Sequence, residues 1–226
     1  MKRSEINQII KNAISFLDEM KFKLPPFAHW TPDRWAAAGP EYGEIRGNQL
    51  GWDITNFGGG DFMRLGLTIF TLRNGNYAGP DDGKTYAEKI LIVEEEQITP
   101  MHFHRSKMED IINRGGGNLM MQVYNSTAGA KLADTPVTVR LDGEKRTVPA
   151  GSLLKLAGGE SVTVTPLLYH KFWAEKGGGK VLVGEVSSVN DDNTDNFFLD
   201  EIGRFPEIEE DEPPFRLLLT EYPKEK

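Results

Sequence analysis

From Leu67 onward the chain consists of short β-rich runs separated by turn residues, and this pattern constrains the fold more than any other feature. The runs cover residues 67–72, 88–104, 119–124, 137–141, 152–156, 161–165 and 181–186. Short strands at this spacing are typical of an all-β sandwich or barrel, whereas βαβ units would need helical patterns between them. With 226 residues, of which 38% are apolar, the chain can bury one substantial core. The sequence therefore predicts one all-β domain over residues 1–226.

The segment before the first run has a different character. Ser4 is the expected N-cap of an amphipathic helix in which Ile6, Ile10 and Leu17 recur at helical spacing, and the helix should end before Pro25. Aromatic and turn residues then fill positions 27–57, which predicts an irregular arm packed on a larger body. The expected division is a helix and arm over residues 1–66, a barrel over 67–189, and a loop with a C-terminal strand over 190–226.

Composition argues against several classes of partner. The net charge is −8, so neither a nucleic acid nor an anionic membrane surface is expected to bind, because both prefer a basic face. The sequence has no run of about 18 apolar residues and its first residues lack the apolar core of a signal peptide, which predicts a cytoplasmic protein. It has no cysteine, so no disulfide framework is expected.

Three of the four histidines form a pattern expected of a single metal site. His102 and His104 are two residues apart, so on a strand they point to the same side. Glu109 lies between two β-rich runs, and a hairpin there would fold it back beside the histidines. His170, on another β-rich stretch, would complete three imidazoles and one carboxylate. This donor set suits Mn, Fe, Co, Ni or Zn, and four protein ligands leave about two positions of an octahedral ion open to a substrate.

The quartet, with the glycine cluster at 115–117 and Pro166 before His170, resembles the two metal motifs of the cupin superfamily. Cupins commonly have a glycine where this chain has Glu96, so the resemblance is to a divergent member. It implies a cupin jelly-roll β-barrel that holds the metal inside the cup.

Six segments spread over nearly the whole chain carry a closer resemblance. They are WDIT at 52–55, TPMHFH at 99–104, YHKFWAE at 169–175, GEVS at 184–187, VNDD at 189–192 and GRFP at 203–206. Together they resemble the cupin-type D-lyxose isomerases. The resemblance implies interconversion of D-lyxose with D-xylulose and of D-mannose with D-fructose, a divalent metal that is usually Mn²⁺, and a homodimer. It also implies that the metal ligands are His102, His104, Glu109 and His170.

Isomerisation of this kind needs a base and an acid beside the metal. Hydrogen moves between C2 and C1 of the sugar, either as a proton through an enediol or as a hydride, and the sequence leaves both routes open. Glu185 is the first candidate for the base, because strand alternation places it on the same face as Val181 and Val183. Lys107 is the second candidate. Three carboxylates in the following loop are further candidates: Asp192, Asp195 and Glu201.

Substrate contacts are expected from the segment after the last β-rich run. Asp192, Asp195 and Arg204 are predicted to bind the monosaccharide, with the alternative that Arg204 anchors the 191–195 loop instead.

Other activities are compatible with the same ligand types. A phosphosugar isomerase, an iron dioxygenase and a non-catalytic sugar-binding cupin are the alternatives. A phosphosugar enzyme should carry clustered basic residues that pair with the phosphate, and no such cluster is evident in the sequence near the predicted ligands.

Overall fold

The computed structural model describes residues 1–76, 83–192 and 194–224, and two antiparallel β-sheets dominate it. The all-β prediction is confirmed. The strands are β1 (Gly51–Thr55), β2 (Leu67–Arg73), β3 (Tyr86–Val93), β4 (Thr99–His104), β5 (Glu109–Gly116), β6 (Leu119–Asn125), β7 (Val137–Leu141), β8 (Glu144–Val148), β9 (Leu153–Leu156), β10 (Ser161–Val164), β11 (Leu168–Ala174), β12 (Val181–Ser188) and β13 (Asn196–Phe198). One sheet has the order β1-β2-β3-β12-β5-β10-β7-β8, and the other has the order β13-β4-β11-β6-β9.

The main hydrophobic core lies between the two sheets. Ile111 and Val183 from the larger sheet belong to the same buried cluster as Met121, Val123 and Phe172 from the smaller one. Along β12 the residues alternate: Val181 and Val183 belong to this core, whereas Leu182 packs on the outer side of the sheet. The period-2 pattern therefore sets which side chains face the interior, and it places Glu185 on the inner face with Val183.

Helix α1 (Arg3–Glu19) covers part of the outer face of the larger sheet. Its residues Ile6, Ile10 and Leu17 pack with sheet residues that include Ile90 and Leu182. Ser4 is not the N-cap as predicted, because the helix begins at Arg3 and its N-cap is Lys2, two residues before Ser4. The N–H and the hydroxyl of Ser4 donate instead to the Asp211 carboxylate, at 2.8 and 2.6 Å. Among the described helices, none is long and apolar enough to cross a membrane.

The segment predicted as an irregular arm contains short elements packed together. They are the 3₁₀ turns Pro26–His29 and Pro40–Tyr42 and the helices α2 (Pro32–Ala36) and α3 (Gly43–Gly47). The same segment also supplies β1, which pairs with β2, while β13 comes from the segment predicted as a loop. The sheets therefore extend from Gly51 to Phe198, beyond the expected barrel limits on both sides.

In place of the predicted C-terminal strand, the structure has a single bridge between Trp52 and Leu218. The N–H of Leu219 donates to the Trp52 carbonyl at 2.8 Å, but the N–H of Leu218 donates to the Glu221 carboxylate. The N–H of Phe215 likewise donates to Asn7 Oδ1, at 2.7 Å, so side chains and not β1 take these N–H groups.

The acidic segment after residue 206 holds the start of helix α1. The guanidinium of Arg3, whose side chain is 1% exposed, binds Glu210 in a bidentate pair at 2.7 and 2.9 Å and also contacts Glu221. These carboxylates raise the pKa of Arg3 above its ordinary value, Glu210 most strongly. The segment is therefore part of the folded body and not only a solvated tail.

We expect Arg3→Ala to lower the free energy of unfolding by about 2 kcal/mol. Removing one partner of a fully buried ion pair costs about 3–5 kcal/mol, and the cost here is smaller because the Glu210 side chain is 56% exposed. Urea unfolding followed by circular dichroism measures the change. Lys2→Ala, at the exposed neighbouring position, is the control, and an equal midpoint for the two variants would contradict the structural role of Arg3.

Candidate active site

A cavity between the two sheets gathers most of the chemically active side chains predicted from the sequence. The cavity together with its opening to solvent encloses about 470 Å³. One part of its wall is apolar, with Phe57, Ile69 and Leu91 among the contributors. The polar part is formed by His102, His104, Lys107, Glu109, Glu185, Asp192 and Arg204, together with Lys89 and Thr99.

The three histidines of the predicted quartet lie side by side on the smaller sheet. His102 pairs with His170 across β4 and β11, and its ring centroid is 4.1 Å from that of His170. The possible ligand atoms of His102, His104 and His170 all lie within 4.8 Å of one another, and all three side chains are buried. Phe103, between two of them in sequence, points to the other face of the sheet and stacks on Phe197, as strand alternation predicts.

A β-bulge in β4 adds Thr99 to the cavity wall. Between the pairs His102–His170 and Thr99–Phe172, β4 has two residues where β11 has one. The extra residue breaks simple alternation, so that Thr99 faces the cavity together with His102. The Thr99 hydroxyl is buried and has no hydrogen-bond partner within the described part of the chain.

Glu109 approaches the histidines from the opposite sheet. The prediction of a hairpin that returns it beside His104 was wrong, because the connection after β4 crosses to the larger sheet, where Glu109 begins β5 between β10 and β12. Its Oε1 lies 3.1 Å from His170 Nε2, and its Oε2 lies 3.3 Å from His104 Nε2. Glu109 on one sheet thus meets His104 and His170 on the other across the cup.

The protonation of two histidine rings follows from their backbone contacts. His102 Nδ1 is 2.7 Å from the Pro100 carbonyl and His170 Nδ1 is 3.0 Å from the Leu168 carbonyl. A carbonyl oxygen can only accept, so each Nδ1 carries the proton and each neutral ring has a lone pair on Nε2. Burial lowers the pKa of His102 and His104 below the ordinary value for histidine, which favours the neutral rings.

This arrangement fits a cation between the rings and Glu109. With its proton on Nδ1, a neutral His170 ring would point its Nε2 lone pair at a carboxylate oxygen, and within the described part of the chain the Nε2 atoms of both His104 and His170 are buried with no hydrogen-bond partner. Two acceptors in contact repel unless a positive charge lies between them. Separations of 3.1 and 3.3 Å suit neighbouring ligands of one ion bound at about 2.1 Å.

Lys107 forms ion pairs with two carboxylates of the larger sheet, those of Glu109 and Glu185. Its ammonium group is 2.8 Å from Glu109 Oε2 and 2.8 Å from Glu185 Oε1, and its side chain is 3% exposed. Burial alone would lower the pKa of Lys107, but Glu109 and Glu185 outweigh this effect and raise it above the ordinary value. Lys107 is therefore held as a cation. The two candidates for acid and base, Lys107 and Glu185, are in direct contact beside the quartet.

Sequence reasoning missed Lys89 and Asp53. Lys89 lies opposite Glu185 in the β3–β12 ladder, and its Nζ is 3.6 Å from Glu185 Oε1 and 3.6 Å from Asp192 Oδ2. Arg204 binds Asp53 at 2.5 Å and Asp192 at 3.1 Å. Burial would raise the pKa of Asp192, but the charges of Lys89 and Arg204 hold it well below its ordinary value. The sequence did contain a signal for Lys89, because strand alternation places its side chain on the same face of β3 as Leu91, which lines the cavity.

Two of the predicted loop carboxylates lie outside this charge network. Asp195 binds the 105–107 connection instead, through the Ser106 hydroxyl and N–H groups and through the N–H of Lys107. Glu201 is exposed. Arg204 anchors the loop at Asp192, as the alternative predicted, and its side chain also lines the cavity, so the predicted sugar contact stays a prediction.

Comparisons with known proteins agree with this architecture. A family model described as D-lyxose isomerase matches residues 1–222. A D-lyxose/D-mannose isomerase from Serratia proteamaculans is 53% identical over 223 residues, with 98% of each chain covered. One from Escherichia coli O157:H7 is 50% identical over 226 residues, again with 98% of each chain covered. Among solved structures, a ligand-free L-ribose isomerase from Cellulomonas parahominis superposes with a TM-score of 0.61 at 15% identity, over 92% of this chain and 98% of that one. This last similarity supports the cupin-type fold.

Proposed function

The chain belongs to the D-lyxose isomerase family, and on that premise we propose that it is a metal-dependent aldose–ketose isomerase. The proposed reactions interconvert D-lyxose with D-xylulose and D-mannose with D-fructose. The observation that carries the proposal is the buried contact of Glu109 with His104 and His170, flanked by the Lys107–Glu185 pair. A homodimer, which the sequence resemblance implies, is part of the proposal and can be tested by light scattering.

The proposed metal ligands are the Nε2 atoms of the three histidines and the carboxylate of Glu109. Imidazole with a hard carboxylate and no thiolate suits Mn²⁺, Co²⁺, Fe²⁺, Ni²⁺ and Zn²⁺ alike, and Mn²⁺ is proposed because the family resemblance implies it. A divalent ion bound there would polarise the sugar carbonyl and hold two adjacent sugar oxygens.

Glu185 is the proposed base. In the open-chain aldose its carboxylate removes the proton from C2, the electrons of that bond form the C1–C2 double bond, and the carbonyl oxygen gains a proton, which gives the enediol. The same carboxyl then returns a proton to C1, while the hydroxyl on C2 gives its proton to the amine of Lys107, which had donated one to the oxygen on C1, and becomes the ketone. Lys107 and Lys89 both approach Oε1 of Glu185, and we propose that Oε2 faces the sugar. Lys107, held as a cation, is the proposed donor to the substrate oxygen.

The charge balance of the cavity favours a neutral sugar over a phosphosugar. Each cation of the described cavity wall is already paired: Lys107 with Glu109 and Glu185, Lys89 with Glu185 and Asp192, Arg204 with Asp53 and Asp192. A phosphate would need cations free to bind it. The carboxylates of this network and the Thr99 hydroxyl are instead suited to sugar hydroxyl groups, because they accept or exchange hydrogen bonds.

The direct test is ketose formation by chelator-treated protein, with and without added Mn²⁺, while oxygen uptake is followed. We expect D-xylulose from D-lyxose and D-fructose from D-mannose only when the metal is present, with no oxygen consumed. Full activity of metal-free protein would contradict metal dependence. Oxygen uptake without ketose would indicate a dioxygenase, and metal-loaded protein that binds sugar without converting it would indicate a binding protein.

A further inference from the structure

Asp195 bonds to three of the four residues that connect β4 to β5, namely residues 105–107. Its backbone carbonyl accepts from the N–H of Arg105 at 2.9 Å. Its Oδ1 accepts from the N–H and the hydroxyl of Ser106, at 2.8 and 2.6 Å, and its Oδ2 accepts from the N–H of Lys107 at 3.2 Å. This connection runs from His104 to Glu109, so Asp195 holds the short segment that links the two sheets at the site.

The same carboxylate faces the outer nitrogen of His104. Asp195 Oδ2 is 3.7 Å from His104 Nδ1, which is buried and has no hydrogen-bond partner in the described structure. His104 differs in this from His102 and His170, whose Nδ1 atoms bond to backbone carbonyls. A ring that offers its Nε2 lone pair to a cation must carry its proton on Nδ1, and a buried N–H without an acceptor is costly.

We propose that Asp195 is a positioning residue that holds His104 in its Nδ1-protonated form and sets the backbone that presents Lys107 to Glu185. This inference rests on the proposed metal site and gives Asp195 a different role from the sugar contact expected from the sequence. Both carboxylate oxygens of Asp195 already accept hydrogen bonds from the 105–107 connection. Oδ2 needs to move only slightly closer to His104 to accept a hydrogen bond from Nδ1 as well. One side chain thereby couples a metal ligand to the acid of the proposed mechanism.

Asp195→Asn tests the proposal because the amide can no longer present an acceptor to both Ser106 and His104. We expect the dissociation constant for Mn²⁺, measured by competition with a chelator, to rise about 10–100-fold, as for other outer partners of metal-bound histidines. At saturating metal, kcat should fall while KM for D-lyxose stays close to the parent value. An unchanged Mn²⁺ affinity, or a rise in KM alone, would overturn the proposal.

Asp192→Asn is the control for charge. It also removes one negative charge from the 191–195 loop, but Asp192 contacts Lys89 and Arg204 and not the 105–107 connection. Its Mn²⁺ affinity should therefore stay closer to that of the parent than the affinity of Asp195→Asn does. Equal losses in the two variants would show that charge, and not the contact with His104, determines affinity.

The ring nitrogens of His104 give a readout that needs no metal, and its first part uses the parent protein alone. In the metal-free parent, Glu109 Oε2 lies 3.3 Å from Nε2 and competes for the proton, but it is already paired with Lys107 at 2.8 Å. We therefore expect ¹⁵N chemical shifts to show Nδ1 protonated, and in Asp195→Asn to show an increased share of the Nε2-protonated form. A parent ring protonated mainly on Nε2 would overturn the inference. Since this measurement uses metal-free protein, it stands even if the parent binds no divalent ion, an outcome that would refute the proposed function.

Discussion

Glu185→Gln should lower kcat for the isomerisation of D-lyxose by about 10³-fold, while the variant still folds and still binds Mn²⁺. A positioned general base contributes roughly 10²–10⁴-fold, and glutamine keeps the shape of the side chain but cannot take a proton. The fold should survive, because Lys107 keeps Glu109 and Lys89 keeps Asp192 as partners. Steady-state kinetics with metal titration separates the two effects. Exchange of the C2 hydrogen with solvent deuterium, followed by NMR, should be lost in parallel.

Glu88→Gln is the matched control for this variant. Glu88 lies on β3 beside Lys89 in sequence but on the outer face, where it pairs with Arg73 at 3.1 Å. Exposed pairs of this kind contribute about 0–1 kcal/mol, so kcat should remain near the parent value. If Glu185→Gln retained more than about a tenth of the parent kcat, Glu185 would not be the base.

His170→Ala should abolish both metal binding and turnover. The three remaining ligands would hold the ion weakly, and loss of the ion removes several kcal/mol of stabilisation from the transition state, or about 10³-fold or more in rate. Metal content after dialysis and kcat measured at a fixed Mn²⁺ concentration test both consequences. In the parent, Mn²⁺ at about 100 times its dissociation constant should add about 2.7 kcal/mol to stability, and this gain should vanish in the variant.

His29→Ala serves as the control for the loss of a histidine. His29 is exposed on a 3₁₀ turn of the N-terminal arm, outside the set of residues that line the cavity. Its variant should bind Mn²⁺ and turn over D-lyxose as the parent does. A His170→Ala protein that kept stoichiometric metal and normal kcat would refute the assigned ligand set.

The sequence allowed the histidine cluster to be predicted because its determinants are local or periodic. The two-residue spacing of His102 and His104 needs only an extended strand, and the interior position of Glu185 follows from the alternation with Val181 and Val183. The side from which Glu109 approaches depends on which sheet each strand joins. That assignment is decided by pairing between distant segments, such as β5 with β12, and no local pattern encodes it.

Other parts of the site could not be predicted from the sequence, for similar reasons. Thr99 enters the cavity through a bulge, which shifts alternation by one residue and has no clear signal in a Thr-Pro pair. Asp53 lies in a segment whose aromatic and turn residues suggested irregular structure, although it forms part of β1. Arg204 was singled out, but its partners come from β1 and from the 191–195 loop, which only the tertiary fold brings together.

Because the four proposed ligands are divided between two sheets, the size of the proposed ion pocket is a property of the whole barrel. Glu109 is fixed to the larger sheet and the three histidines to the smaller one, so the gap between them depends on the side chains packed between the layers, Ile111 and Phe172 among them. Bond lengths to divalent ions differ by only about 0.1–0.2 Å, and close-packed interiors resist changes of that size. We therefore expect preference among similar ions to respond to core residues that never touch the metal.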